Sequence, residues 1–214
     1  MIPVLPSGVP PGFAKKVVAP AKRWATKNGW NWTMPPPPKK ASCVPAHWRN
    51  VLDELHGAHG GVCAYLSVYM HRTMDSSSVD HFLPVSKSPL SAAYDWSNYR
   101  LASRPMNTNK GEHQDVLDPF TLPPNLFTLK ILSARIRINT DIAPLGSRLH
   151  QEAQDTLERL KLNEGEYRAI RLHYLNKYLE ACRPQTKSSV KRARATLLLE
   201  SPFLHQEVVR QDWR

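Results

Sequence analysis

The sequence predicts an α+β protein: a small mixed core, a mainly helical C-terminal region and an extended, proline-rich N-terminal arm. Three observations predict this class. Apolar residues alternate over 127–138 as in strands, they recur at helical spacing after residue 148, and short apolar runs alternate with turn residues over 79–115. The predicted boundaries follow these changes of pattern, with an arm over 1–42, a core over 43–120 and a strand-containing, helical, basic region over 121–214.

The arm is rich in proline and lysine and contains no acidic residue. Such a segment cannot bury much apolar surface by itself, so an extended or polyproline-like conformation is expected. Trp24, Trp30 and Trp32 could pin the arm to its own domain or to a partner, or they could stack on bases while the lysines contact phosphates. Packing of the arm is the favoured interpretation.

Helices and strands follow the arm in an order set by the apolar pattern. Trp48, Val51 and Leu55 recur with helical spacing, whereas residues 62–70 are apolar and fit either a helix or a strand. Residues 127–138 predict strands or a hairpin. The basic side chains beyond them fit a solvated helix surface better than a nucleic-acid surface. Three amphipathic faces predict the C-terminal helices: Leu149, Ala153, Thr156, Leu157 and Leu160; Tyr167, Ile170, Tyr174 and Tyr178; and residues 190–199.

Charge and composition favour some classes of function and exclude others. The 214 residues carry a formal net charge of +11, which favours a polyanionic partner. No apolar stretch approaches the roughly 20 residues that span a bilayer. Prolines interrupt the N-terminus where a signal peptide needs a continuous apolar run. Because the three cysteines are also widely spaced and fit a reducing compartment, the sequence predicts a cytoplasmic protein without membrane contact.

The residues with candidate chemistry lie in one stretch that begins at Val79, VDHFLPVSKSPLSAAYDWSNYRLASRPMNTNKGEHQD. Asp80 offers a hard oxygen ligand suited to Mg²⁺, and His81 offers a group that titrates near neutral pH. Pro84 gives a strand reason to end just after this pair. The two adjacent side chains can therefore serve different roles at a strand end.

Two asparagines and a lysine follow in the same stretch. The amide of Asn98 can donate and accept hydrogen bonds at once, so it can hold a loop in one shape. Asn107 offers a neutral oxygen ligand. Lys110 lies one helical turn beyond Asn107 and could point at the same phosphate.

Together these features resemble the signature of HNH, or ββα-metal, endonucleases. That signature has an Asp-His pair on the first strand, an asparagine in the connecting loop, and Asn-x-x-Lys at the start of the helix; here it reads Asp80-His81, Asn98 and Asn107-x-x-Lys110. The resemblance implies a strand-strand-helix core with His81 as the general base for an attacking water. It also implies one divalent metal, Mg²⁺ first and Mn²⁺ second, held by Asp80 and Asn107. Asn98 would orient His81 by fixing the loop, and cleavage would leave 5′ phosphates.

Some assignments within the motif stay open. Arg100 and Arg104 are close enough in sequence to contact phosphate, although a solvated role fits them equally well. Asn109 and His113 could replace Asn107 as the metal ligand. Many members of the family also carry paired CxxC knuckles, which this chain lacks. A structural four-cysteine zinc is excluded by count, and Cys63 is expected to be a small buried residue.

The resemblance implies an endonuclease that hydrolyses DNA, with RNA left open as a substrate. Size and motif are similar to HNH effector subunits of bacterial antiviral systems such as Septu, so an ATPase is an expected protein partner. Two alternatives remain: a catalytically inactive nucleic-acid-binding or assembly subunit on the same frame, and an HNH toxin or mobile-element nuclease. The intact set of Asp80, His81 and Asn107 favours an enzyme.

Overall fold

The computed structural model describes residues 1–37, 40–74, 76–183 and 185–213. It contains both helices and antiparallel strands, which confirms the predicted α+β class. Within the described ranges, no helix combines the length and the apolar character needed to cross a membrane. The chain divides into two compact units: the motif unit, Leu5–Gly61 with Met70–Gln114, and the helical unit, Met1–Val4 with Val62–Tyr69 and Asp115–Arg214.

The N-terminal arm of the motif unit is largely helical. A π-helical stretch, Ala14–Val18, runs into helix α1, Ala19–Lys27. The predicted extended conformation is therefore wrong for this part of the arm. The segment forms a helix because small or apolar side chains recur every four residues, and one helix face can therefore bury apolar surface. The buried members of that row are Phe13, Val17, Ala21 and Ala25.

The tryptophans of the arm pack inside the motif unit. Trp24 meets Trp30 edge to face, with ring centroids 4.7 Å apart. Trp32 stacks on Tyr94, with ring centroids 5.6 Å apart and planes 6° from parallel. These contacts agree with the packing interpretation, and the described residues of 5–42 belong to the same compact unit as the motif.

A short helical segment follows the arm where helical spacing predicted it. It begins as a 3₁₀ turn, His47–Val51, and continues as helix α2, Leu52–Ala58. Val51 and Leu55 are fully buried, as the apolar spacing predicts. The ambiguous stretch 62–70 is neither helix nor regular strand, because its only pairing among the described residues is an isolated antiparallel bridge between Val62 and Tyr69.

The motif itself folds as two strands and a helix. Strand β1, Ser77–His81, pairs antiparallel with strand β2, Tyr99–Ser103, and Asp80 lies opposite Arg100 in the register. Helix α3, Arg104–Lys110, follows β2 without a loop. The Ser103 hydroxyl caps α3 by accepting a hydrogen bond from the Met106 amide at 3.4 Å. This continuity places α3 against β1, and it brings the end of the motif back to its beginning.

The helical unit contains a second hairpin and four helices. The hairpin confirms the strands predicted from the alternating apolar residues. The buried carboxylate of Glu207, in the last helix, accepts a hydrogen bond from the amide of Leu129, in the first strand of this hairpin, at 2.7 Å. The predicted helical C-terminal region is likewise confirmed. The elements are strands β3, Phe127–Lys130, and β4, Arg135–Ile138, then helices α4, Arg148–Arg159, α5, Gly165–Cys182, α6, Lys187–Glu200, and α7, Pro202–Arg210.

Candidate functional site

One cavity of the motif unit, with a volume of about 870 Å³, is lined by Asp80, His81 and Asn107. Asp80 and His81 are the last two residues of strand β1, and Asn107 lies in the middle of α3. Asn107 lies 26 positions after His81 along the chain, so these side chains come from two separate elements. The structure therefore brings the predicted general base and both predicted metal ligands to a single concave surface.

His81 is held in one tautomer by its surroundings. Its Nε2 lies 2.9 Å from the carbonyl oxygen of Ala93. A carbonyl oxygen only accepts, so Nε2 carries the hydrogen and Nδ1 keeps a lone pair. The ring lies edge-on to Trp48 at 4.5 Å and to Tyr99 at 5.2 Å between centroids. Burial lowers the pKa of His81 to about 4, against the opposing effect of the bond to Ala93, so the ring is neutral at pH 7.

Asn98 closes the loop that supplies the partner of His81. It is 5% exposed, and its Oδ1 accepts a hydrogen bond from the Leu83 amide at 2.7 Å. Its Nδ2 donates to the carbonyls of Leu83, at 3.1 Å, and Ala92, at 2.9 Å. The two ends of the loop are thereby joined through one side chain. Because Ala92 precedes Ala93, the same clamp fixes the carbonyl that orients His81.

Asp80 and Asn107 present oxygen atoms that suit a hard cation. Asp80 is 2% exposed and lines the cavity. The Asn107 Nδ2 donates to the Ser78 hydroxyl and to the Val79 carbonyl, each at 3.1 Å. These two bonds fix the amide plane, and Oδ1 takes none of the hydrogen bonds found among the described residues. A carboxylate and an amide oxygen are donors that Mg²⁺ accepts, with water and phosphate completing its shell.

The described part of the chain contains no group of three or more His, Cys, Asp or Glu side chains placed to hold a metal ion. A site built on Asp80 and Asn107 does not need such a group, because Mg²⁺ is commonly held by only one or two protein ligands. Of the alternative ligands, neither Asn109 nor His113 is among the described residues that line the cavity. Of these three candidate ligands, Asn107 is therefore the one found in the cavity lining.

Lys110 and Arg100 are buried, which disagrees with the prediction that they contact nucleic acid. The Lys110 Nζ donates to the carbonyls of His81, at 2.9 Å, and Phe82, at 2.5 Å, and the side chain is fully shielded from solvent. Arg100 is 3% exposed and donates to two backbone carbonyls at the start of β2. Both cations satisfy main-chain oxygens inside the unit, so they have no surface to offer to a phosphate.

The arginines that do reach the cavity come from three separate segments. Arg104, the first residue of α3, is exposed and lines the cavity. Arg49 and Arg72 also line it, and no sequence pattern selects them, because they lie outside the motif. Arg72 is paired with Asp53, with Nε and Oδ1 2.5 Å apart. Only the tertiary fold brings these side chains to the site.

Comparisons of this chain with protein-family models, with curated proteins and with solved structures found no match. The functional assignment therefore depends on the motif and on the geometry of the motif unit alone.

Proposed function

We propose that this chain is a divalent-metal-dependent endonuclease of the HNH type, which hydrolyses phosphodiester bonds of DNA and leaves 5′ phosphates. The observation that carries the proposal is the convergence of Asp80, His81 and Asn107 on one cavity, on two paired strands and the helix that follows them. The same order of elements and residues is what the resemblance to the HNH signature implies.

The proposed role of His81 follows from its hydrogen bonding. Hydrolysis requires a water to lose a proton as it attacks phosphorus, and a positioned base typically contributes about 10² to 10⁴ in rate. Nε2 is committed to Ala93, so Nδ1 is the atom that would take the proton. Asn98 supports this step as a positioning residue, because it fixes the loop that carries the Ala93 carbonyl.

Asp80 and Asn107 would hold the metal, with Mg²⁺ preferred and Mn²⁺ as the second candidate. Their oxygens fit a hard cation, and the bonds of the Asn107 amide nitrogen leave its oxygen as the donor atom. When bound, a divalent ion supplies charge stabilisation to the phosphate and to the leaving 3′ oxygen.

The net charge of +11 supports a polyanionic substrate. Arg104 adds an exposed cation at the cavity. We further propose that the chain acts in the cytoplasm, as the nuclease effector of an antiviral system with an ATPase partner. Co-purification from a native host extract tests that setting separately, since recovery without an ATPase would contradict the partner but leave the chemistry intact.

The decisive experiment incubates supercoiled plasmid and circular single-stranded DNA with purified protein in Mg²⁺ or Mn²⁺. We expect metal-dependent cleavage that His81→Ala lowers by about 10² to 10⁴, since this variant lacks the base. His173→Ala is the matched control, because His173 is an exposed histidine of the helical unit.

Two results would contradict the proposed function. Equal cleavage by the wild type and His81→Ala would assign the activity to a contaminant. A wild type without cleavage in either metal, but with salt-sensitive DNA binding, would favour an inactive nucleic-acid-binding subunit.

A further inference from the structure

The cavity has an apolar wall that the hydrolytic chemistry does not use. Residues 41–52 supply Ala41, Trp48 and Leu52 to its lining, in addition to the polar side chains of β1 and α3. Pockets that enclose small ligands have volumes of about 300 to 1,000 Å³. At about 870 Å³ the cavity is large enough for a base and a sugar in addition to a phosphate group.

Trp48 is the aromatic residue of this wall, and its ring packs against two other rings. Its ring lies 4.5 Å from the His81 ring at 84°, and 5.9 Å from the Tyr94 ring at 42°. The residue is half-buried, so part of its surface stays open on the side of the cavity. Proteins that bind single-stranded nucleic acid stack bases on aromatic rings held in this way.

Two arginines line the same cavity as the indole. Arg49 follows Trp48 directly in the chain, and Arg104 approaches from α3. Both arginines are exposed, and neither takes part in an ion pair found among the described residues, in contrast to Arg72. A cavity that combines an aromatic surface with two guanidinium groups suits the bases and phosphates of one strand.

From this arrangement, and resting on the proposed function, we infer that the cavity binds an unpaired nucleotide. The base stacks on Trp48, Arg49 and Arg104 contact the phosphates beside it, and the phosphate to be cut lies at Asp80 and Asn107. Bases in an intact duplex are stacked on each other and cannot present a face to the indole without being unstacked. The preferred substrate is therefore single-stranded nucleic acid, or an unpaired segment of a duplex.

The test measures binding in EDTA, where no metal is present and nothing is cut. Fluorescence anisotropy compares three labelled oligonucleotides: a single strand, the duplex of the same sequence, and an abasic strand with the same number of phosphates. We expect the wild type to bind the single strand tightest. Trp48→Ala should weaken that binding about 5- to 100-fold, as stacking of one base predicts, and leave the abasic strand unchanged.

Further variants separate stacking from loss of structure. Trp48→Leu keeps apolar bulk without an aromatic face, so it should lose the same preference, whereas Trp48→Phe should retain most of it. Trp30→Ala removes a tryptophan of the same unit that packs on Trp24 and does not line the cavity; it should bind like the wild type. Circular dichroism melting of every variant identifies any that are unfolded.

Equal affinity for all three oligonucleotides would overturn the inference, as would Trp48→Leu binding the single strand like the wild type. Because the assay needs no metal, its outcome is separate from that of the proposed function. Base-dependent binding without any cleavage would contradict the nuclease proposal alone. Metal-dependent cleavage that depends on His81, together with Trp48-independent binding, would contradict the nucleotide site alone.

Discussion

Asn107 and Lys110 lie three positions apart on α3, but their side chains have different surroundings. The Asn107 amide lines the cavity, whereas the Lys110 ammonium is buried against the carbonyls that end β1. A lysine in such a place supplies charged hydrogen bonds to backbone carbonyl oxygens inside the unit. Of the Asn-x-x-Lys pair, only the asparagine faces the candidate chemistry, and the lysine fixes the strand end from which His81 projects.

Asn107→Ala tests whether this asparagine is a metal ligand. We expect the Mg²⁺ concentration for half-maximal cleavage to rise by at least about tenfold, because even supporting residues of metal sites commonly contribute that much to affinity. Asn109→Ala, on the same helix but outside the cavity lining, should keep the wild-type value. A Mg²⁺ titration of cleavage rate measures both. A raised Mg²⁺ requirement in Asn109→Ala, with an unchanged one in Asn107→Ala, would transfer the ligand role to Asn109.

Lys110→Met tests the structural role of the buried ammonium. Methionine keeps most of the volume but leaves the His81 and Phe82 carbonyls without their donor, so the free energy of unfolding should fall by about 1 to 3 kcal/mol. Lys87→Met, at an exposed lysine of the same unit, should change it by less than about 0.5 kcal/mol. Urea titration gives both values. Unchanged stability with weakened DNA binding in Lys110→Met would restore the phosphate-contact hypothesis.

The sequence predicts helices and strands correctly where apolar residues repeat with one clear period. The hairpin of β3 and β4 and the helices after residue 148 follow from such periods. The helical part of the arm is not predicted, because its proline and lysine content indicates an extended chain and its buried row, Val17, Ala21 and Ala25, consists of small side chains. Small apolar residues give a weak periodic signal, although they allow close packing.

The residues of the candidate site also fall into two groups, those that the sequence predicts and those that it does not. Asp80, His81, Asn98 and Asn107 lie in one short stretch, so order and spacing were enough to bring them together as a hypothesis. Trp48, Arg49 and Arg72 reach the cavity through tertiary packing of other segments, and no local pattern selects them. The burial of Lys110 and Arg100 is equally a tertiary outcome, since their side chains are long enough to turn inward or outward from the same backbone.

The end of α3 provides a test of backbone geometry. Gly111 has φ +45° and ψ −127°, and an added Cβ would lie 3.3 Å from the Thr108 carbonyl oxygen. Gly111→Ala should therefore lower the free energy of unfolding by about 1 to 3 kcal/mol, because this region favours glycine. Gly57→Ala is the matched control, since Gly57 lies inside α2 with open space around its Cα.

Alanine at position 57 should raise stability by up to about 1 kcal/mol through helix propensity. Thermal melts of both variants give the comparison. A Gly111→Ala variant as stable as the wild type would show that the helix end can take another conformation.

The formal net charge does not describe the charge that the protein presents at its surface. The net charge of +11 counts Lys110 and Arg171, which are 0% and 2% exposed and donate to backbone carbonyls inside their units. Burial lowers the pKa of Arg171 to about 10, so it remains charged at neutral pH. Binding to a polyanion depends on the exposed cations, among which Arg49 and Arg104 border the cavity.

The free energy of unfolding should fall as the solution is made acidic, and the lowered pKa of His59 predicts how large its share of this loss is. Both ring nitrogens of His59 are shielded from solvent, and burial, with the Arg100 charge nearby, lowers its pKa to about 4 from an ordinary 6.5. Between these two pH values the unfolded chain takes up a proton that the folded chain refuses. The stability from neutral His59 is thus complete above pH 6.5, falls as pH drops toward 4, and levels off below it.

Urea titrations at pH 7.5 and pH 5 measure the consequence. For the wild type, His59 should account for a loss of about 2 kcal/mol in the free energy of unfolding between these conditions. His59→Gln cannot be protonated, so its loss should be smaller than that of the wild type by about this amount. His71→Gln, at an exposed histidine of the same unit, should lose as much as the wild type. Equal losses in the wild type and His59→Gln would mean that the His59 ring takes up its proton in the folded state.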